Sequence, residues 1–277
     1  MQNKGVLYIC PTPIGNLEDI TLRALRILKE VDFIACEDTR VTIKLLNHYN
    51  IATKLISYHK FSEKQKGEYI INLIKEGKNI ALVSDAGTPL LSDPGFELVK
   101  LAYTNQIKVE PLPGPSALMT AISASYLEKP YFAFLGFLPR SKKEKESLLT
   151  KYQEINIVVY EAPSRLVKTL EELLDIFGNK TVTVARELTK IHEEIKRDTL
   201  ENHIKYYTNK PPKGEITMII EGEEKEKGFI EEAELFDKIK ILIKEGYSSK
   251  DISKIISIFT PYSKSYIYDL VIKSLSG

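Results

Sequence analysis

Short apolar runs alternate with amphipathic stretches along most of this chain, and no other feature limits its fold so tightly. Runs at 6–10, 33–36, 54–57, 80–83 and 108–112 are separated by helical periodicity near 20–30, 40–49, 63–76, 93–105 and 115–126. A strand followed by a helix and then another strand usually returns parallel to the first. The pattern therefore predicts a mostly parallel sheet with helices on both faces. A second series has strands near 131–136, 156–161, 181–186 and 216–221 and helices near 142–153 and 164–177. Two α/β domains are expected, 1–128 and 129–222, divided near Glu128-Lys-Pro130, where a proline ends a helix just before the next strand.

Beyond the second series the composition changes. From Glu221 to Glu234 the chain is charged, carries two glycines and has little to bury, so 223–234 reads as a linker. Residues 235–277 contain three helix-sized segments separated by Gly246-Tyr-Ser-Ser249 and Thr260-Pro-Tyr-Ser263, as in a small helix-turn-helix-like tail domain. Lys250, Lys254, Lys264 and Lys273 there either meet RNA phosphates or form a solvated helical face.

With 277 residues, 43% of them hydrophobic, the chain can fill the cores of about two domains. Lys+Arg of 39 against Asp+Glu of 38 leaves a net charge of +1, so any contact with nucleic acid must come from local patches. No stretch stays apolar for the ~18 residues of a membrane span, and Met1-Gln-Asn-Lys-Gly5 runs into a strand without a secretion-type leader. A soluble, cytoplasmic protein without membrane contact is expected. Cys10 and Cys36 lie in apolar runs, as small hydrophobes do, and the four histidines make no metal-ligand spacing, so no metal is expected.

Chemistry is expected at the strand ends. Ser84-Asp-Ala-Gly-Thr-Pro-Leu-Leu-Ser-Asp-Pro-Gly95 and Pro113-Gly-Pro-Ser-Ala117 each follow an apolar run and lead into a helix. Glycines there let backbone approach a ligand, and Ser92-Asp93-Pro94 supplies N-cap and first-turn residues for the next helix. Loops in that position hold nucleotide-like ligands in α/β sheets. The first loop, Cys10 to Thr21, carries two prolines and a glycine but neither a dinucleotide nor a P-loop fingerprint, so it is either a stiff turn or a ligand loop.

Glu37-Asp-Thr-Arg40, Glu161-Ala-Pro-Ser-Arg165 and Arg186-Glu-Leu-Thr-Lys190 also end strands. Each alone reads equally as a helix cap with an ion pair, whereas three together favour a shared cleft between the domains. Phe137-Leu-Pro-Arg140 followed by Ser-Lys-Lys-Glu-Lys145 is either a stacking aromatic beside a phosphate-binding run or a helix start with alternating charges.

Taken together, Pro11-Thr-Pro-Ile-Gly-Asn-Leu-Glu-Asp-Ile-Thr21, Glu37-Asp-Thr-Arg40, Ser84-Asp-Ala-Gly-Thr-Pro89, Asp93-Pro-Gly95, Pro111-Leu-Pro-Gly-Pro115, Gly136-Phe-Leu-Pro139, Tyr160-Glu-Ala-Pro-Ser-Arg165, Arg186-Glu-Leu-Thr-Lys190 and Lys213-Gly-Glu215 fall in register. This series resembles the ribosomal RNA small subunit methyltransferase I family, of the tetrapyrrole-methylase-like class of S-adenosylmethionine enzymes. The resemblance implies two α/β domains with S-adenosyl-L-methionine in the cleft between them, a homodimer, and 2′-O-methylation of a cytidine ribose in the 16S rRNA of the decoding centre, with the small ribosomal subunit as partner. It implies a donor site at Pro13, Asp85, Ala86, Gly87, Ser116, Ala117, Tyr160 and Leu188. In the tail, Tyr262-Ser-Lys-Ser-Tyr-Ile-Tyr268 holds a single lysine where the family often has a lysine-rich helix pair.

Methyl transfer to a ribose hydroxyl needs alignment, a proton acceptor and stabilisation of the forming alkoxide. Glu37, Asp38, Glu161, Glu187 and Lys190 are the catalytic candidates. Arg40, Arg165 and Arg186 suit clamping of phosphate or carboxylate, with Arg140, Lys142 and Lys143 beside them as substrate contacts. Two other outcomes stay open: a tetrapyrrole or protein-residue methylase of the same fold, and an assembly factor that holds the donor without turning it over.

Overall fold

The computed structural model describes residues 4–59, 63–127, 129–222 and 232–276. Its first half runs β1 (Val6–Ile9), α1 (Leu22–Glu30), β2 (Phe33–Cys36), α2 (Thr39–His48), β3 (Lys54–Ser57), α3 (Glu63–Lys75), β4 (Ile80–Val83), α4 (Phe96–Thr104), β5 (Lys108–Pro111) and α5 (Ala117–Ser123). The five strands form one parallel sheet in the order β3-β2-β4-β1-β5. All four residues of β4 are buried, as expected of a central strand covered on both faces. One face packs Leu7, Ile9, Leu82 and Leu98 with the helices α3 and α4, and the other packs Ala24, Leu28, Ile34 and Leu46 with α1 and α2. Because β4, β1 and β5 are adjacent, the loops at their carboxyl ends are neighbours.

The second half runs β6 (Phe132–Phe137), α6 (Lys142–Leu149), β7 (Asn156–Glu161), α7 (Leu166–Phe177), β8 (Thr181–Arg186), β9 (Glu194–Thr199), α8 (Leu200–Asn209) and β10 (Ile216–Ile220). This sheet has the order β6-β7-β10-β8-β9, and only β6 with β7 is parallel. The sequence reading missed β9 and α8. β9 reads Glu-Ile-Lys-Arg-Asp-Thr, with no buried residue and one paired neighbour, so it lacks the apolar run by which its companions are recognised.

Both sheets belong to one compact unit, residues 1–222. They meet through Ile14, Leu118, Ala121, Val158, Ala185, Leu188 and Ile219, with Phe134 and Tyr160 packed alongside. Glu128, at the expected division, lies outside the described residues, as do 223–231 of the expected linker. Residues 223–277 are a second compact unit, with α9 (Glu232–Lys244), α10 (Ser249–Phe259) and α11 (Lys264–Ser276) packed on Leu235, Ile239, Ile252, Ile267 and Val271. The helix α9 thus starts at Glu232, inside the stretch expected to be linker.

Candidate functional site

Hydrogen bonds stitch three strand-end loops of the first sheet together. Thr12 and Gly87 exchange two main-chain bonds of 2.9 Å, joining the loops after β1 and β4. The Thr12 hydroxyl donates to the Ser84 carbonyl at 3.1 Å, and the Ser84 hydroxyl donates to the Gly87 carbonyl at 3.2 Å. Thr88 Oγ1 then donates to the Pro115 carbonyl at 2.9 Å, which ties in the loop after β5. Gly87 is at φ +83°, where a side chain is strained, and an added Cβ there would come within 3.3 Å of Ile14.

Between this platform and the second sheet lies a cavity of about 350 Å³. One wall includes Ile14, Ala86, Gly87, Asp93, Ser116 and Ala117, and the other Phe137, Tyr160, Glu161 and the run Gly214–Thr217. The volume lies in the usual range for small-molecule sites. Tyr160 packs edge-on against Phe134 at 4.9 Å and Phe137 at 5.7 Å between ring centres.

Backbone strain gathers around this cavity. Leu90, Ser92, Glu187 and Thr189 have positive φ in two loops beside it, whereas Asn50 and Gln106 have positive φ just beyond the ends of α2 and α4, a common terminating conformation.

Acidic groups crowd the same region. Burial pushes Asp93 up to about 6, helped by the nearby Glu37, Asp85 and Glu215 charges. Burial also raises Glu37 and Asp85, and in each case a neighbouring carboxylate adds to the shift. Asp93 was expected in the N-terminal cap of the following helix. Instead α4 begins at Phe96 with Gly95 as N-cap at φ +128°, and the Gly95 N–H is bonded by Glu63 Oε1 at 2.8 Å. Asp93 is therefore left to face the cavity.

Of the residues that the resemblance assigns to the donor site, Ala86, Gly87, Ser116, Ala117 and Tyr160 line the cavity. Pro13 sits one residue before Ile14 in the stitched loop, and Leu188 is buried behind the wall with Ile14 and Val158. Asp85 accepts the Asp38 N–H at 3.1 Å, bridging the loops after β2 and β4. Ile14, Asp93, Gly214 and Glu215 are lining residues that the sequence reading did not place there. Gly214 is the middle residue of the Lys213-Gly-Glu215 motif, which was the signal available in the sequence; in the fold it has φ +80° and lies against the Glu187 carboxyl.

The candidate catalytic groups fall into two places. Asp38 caps α2 through the Arg40 N–H at 2.8 Å and is forked by the Arg40 guanidinium, which holds its carboxyl down at about 2. Glu187 and Lys190 form a cluster with Glu215, the Lys190 ammonium lying 2.8 Å from Glu187 and 2.9 Å from Glu215. Burial alone would lower Lys190, but the two carboxylates more than reverse this, and Lys190 in turn lowers Glu187. The neighbouring Thr189 hydroxyl accepts the Asn16 N–H at 3.0 Å, so this loop also clasps the first lobe.

The basic candidates are dispersed. Arg165 is turned inward, donating to the Leu138 carbonyl at 3.0 Å and lying 3.3 Å from the buried Glu161, so it braces the wall instead of offering an open clamp. Lys142 pairs with Asp175 at 2.8 Å, and Lys145 of the same run is buried against Glu172. Arg140, Lys143 and Arg40 are exposed. Arg186 is half-buried at the end of β8, with Nη1 3.3 Å from the Lys213 carbonyl.

A parallel five-stranded lobe joined to a mixed one, with a cavity walled by strand-end loops of both, defines a two-lobed α/β protein of the tetrapyrrole (corrin/porphyrin) methylase type, and that family model matches residues 6–203. The fold is shared with the solved uroporphyrin-III C-methyltransferase from Thermus thermophilus complexed with S-adenyl homocysteine, with a TM-score of 0.57, 17% identity, and coverage of 78% of this chain and 97% of that one. Within the class, the chain belongs to the ribosomal RNA small subunit methyltransferase I family. It is 45% identical over 274 residues to the member from Halalkalibacterium halodurans, covering 97% of this chain and 95% of that protein. The member from Thermotoga maritima is 46% identical, and 79% of this chain spans 100% of it.

Proposed function

We propose that this chain transfers a methyl group from S-adenosyl-L-methionine to 16S rRNA in the small ribosomal subunit, at the 2′-hydroxyl of a cytidine ribose in the decoding centre. The observation that carries the reading is the cavity itself: apolar and glycine-rich on its walls, acidic at Asp93 and Glu215, in a chain aligned almost end to end with relatives of that name. A sulfonium nucleoside is cationic at sulfur and flat at its base, so carboxylates beside apolar, close-approaching walls suit it. No helix among the described residues is long and apolar enough to cross a membrane. A cytoplasmic location is proposed on the family resemblance. A homodimer is proposed on the family resemblance.

When bound, the donor supplies an electrophilic methyl carbon. Ala86, Gly87, Ser116 and Ala117 offer close backbone approach on one side, and Tyr160 and Phe137 offer aromatic faces on the other. Leu188 packs behind these walls with Ile14, Pro13 precedes Ile14 in the loop after β1, and Asp85 ties the loops after β2 and β4. Alignment of the ribose oxygen with the methyl group is the main gain from such rigid walls.

The 2′-hydroxyl must lose its proton as the bond forms. Glu37 and Asp93, both raised toward neutrality, are better acceptors than Asp38 and Glu187, whose cationic partners hold them ionised and weakly basic. Lys190 stays protonated between its two carboxylates and is the group proposed to steady the developing alkoxide. Arg40, Arg140, Lys143 and Arg186 are proposed to meet phosphates; Lys142 would have to leave Asp175, and Arg165 its bracing contacts, to do so.

Labelled methyl donor with undermethylated small subunits tests the reading. Label on a cytidine 2′-oxygen is expected; label on a base, a tetrapyrrole or a protein residue contradicts the substrate assignment. Donor binding without any labelled product indicates a holding factor instead. Asp85→Ala should weaken donor binding more than RNA binding.

A further inference from the structure

A second, smaller concavity of about 220 Å³ lies beside the cofactor cavity on the second lobe, lined by Arg186, Glu194, Tyr207, Lys210, Pro211, Pro212 and Lys213. It is below the range usual for cofactors and substrates, so its occupant should be a small group. Three cations face it against one carboxylate. That carboxylate is already engaged: Glu194 accepts the Tyr206 hydroxyl at 2.9 Å and the Tyr207 hydroxyl at 3.1 Å, with Arg186 at 3.6 Å and Lys210 at 3.7 Å. Burial would raise Glu194, but the tyrosine hydroxyls and these cations hold it below the usual carboxylate range, so it stays a fixed anion that orients the cations.

The Tyr206 ring also holds Lys210, 5.5 Å from its centre and donating to its hydroxyl at 3.1 Å, while Lys196, 4.3 Å from the same ring, is paired with Asp198 at 3.3 Å. Pro211-Pro212 stiffens the chain between Lys210 and Lys213, so little freedom is lost when the two ammonium groups are engaged.

The concavity and the cofactor cavity share two crossings of the chain. Arg186 precedes Glu187, and Lys213 precedes Gly214 and Glu215 of the cavity wall. The Glu215 N–H donates to Glu187 Oε1 at 3.1 Å, which locks these crossings together.

We infer that the Arg186, Lys210 and Lys213 concavity is the docking point for a backbone phosphodiester of the RNA whose ribose enters the neighbouring cavity. The assignment rests on the rRNA substrate reading above and gives it a place on the second lobe. It predicts that anchoring of the strand is separable from donor binding, since none of the three cations lines the donor cavity.

The test compares the native chain, Lys210→Glu with Lys213→Glu, Lys210→Arg with Lys213→Arg, and the distant control Lys29→Glu with Lys75→Glu, which makes the same charge change on α1 and α3 of the first lobe. Small-subunit RNA binding is measured against salt, with KM for undermethylated subunits and calorimetric donor affinity alongside. In the Lys210→Glu, Lys213→Glu protein the log-log salt slope should flatten by about 0.7 to 0.9 per lost phosphate contact. Its KM should rise about tenfold or more while donor affinity stays within about twofold of native. The arginine pair should keep the native slope.

An unchanged slope and KM in the glutamate pair, or an equal change in the distant control, overturns the assignment. So does binding of inorganic phosphate alone to the native chain more tightly than about 1 mM, which would make this a free-anion site. A native chain that neither binds nor methylates small subunits removes the substrate reading and this inference together. A native chain that does both, beside an indifferent glutamate pair, removes only the inference.

Discussion

Asp93 titrates near pH 6 because it is largely withdrawn from water and faces other carboxylates across the cavity. Its folded value is raised above the ordinary 3.8, so between about pH 4 and 6 the folded protein keeps a proton that the unfolded chain has lost. Stability from this group is therefore full below pH 4 and declines as pH rises through 6. Asp93→Asn should raise the unfolding free energy above pH 6 by about 1–2 kcal/mol, solvent screening holding it below the full linkage value. A cationic donor reverses the sense: its binding should tighten as pH rises through about 6 in the native protein and lose that dependence in Asp93→Asn. Calorimetric Tm and Kd series from pH 5 to 8 check both, and parallel pH profiles for the two proteins would contradict them. Sequence made Asp93 visible but misassigned it. Ser-Asp-Pro ahead of a helix reads as a cap, and only the fold brings in Glu63, 32 residues earlier in the chain, to take the Gly95 N–H in its place. Gly87 and Ala117, by contrast, were legible, because a glycine-bearing loop after a strand has few other uses.

At the scale of elements, α6 and α7 are clasped by a buried ion pair. Lys145 and Glu172 are nearly inaccessible, and Lys145 Nζ lies 3.4 Å from Thr169 Oγ1, whose hydroxyl donates to Glu161 Oε2 at 2.7 Å. This chain of contacts reaches the cavity wall at Glu161. Lys145→Met alone leaves a buried carboxylate uncompensated and should cost about 3–5 kcal/mol, while Lys145→Met with Glu172→Met should recover most of that loss. Urea unfolding of the three proteins measures it, and a double variant no more stable than the single would contradict the clasp. The basic run at 140–145 was legible as a cluster but not in its division of labour. Sequence cannot tell that Lys145 turns inward and Lys142 reaches Asp175 while Lys143 stays in water. The strand β9 was hidden for a related reason: an edge strand with no buried position carries no apolar run.

At the scale of the whole molecule, the cavity, the stitched loops and the cluster joining the two sheets all belong to residues 1–222. A chain ending at Gly222 should therefore fold and bind S-adenosyl-L-methionine within about twofold of the native affinity. Calorimetry on the shortened chain decides it, and a folded product that no longer binds would mean that 223–277 contributes to the site. The two-lobed arrangement was legible because strand-helix alternation and ligand loops at strand ends are local signals. Which charges pair across the cleft was not, because ion pairs depend on side chains brought together from distant strands.

On the function proposed above, loops from both lobes close on one cationic methyl donor. A crystal structure with S-adenosyl-L-methionine should place the ligand between Gly87 and Ala117 on one side and Tyr160 on the other, with its positive groups toward Asp93 or Glu215. Density for the donor elsewhere, or an empty cavity at saturating ligand, would rule out a donor site between the lobes.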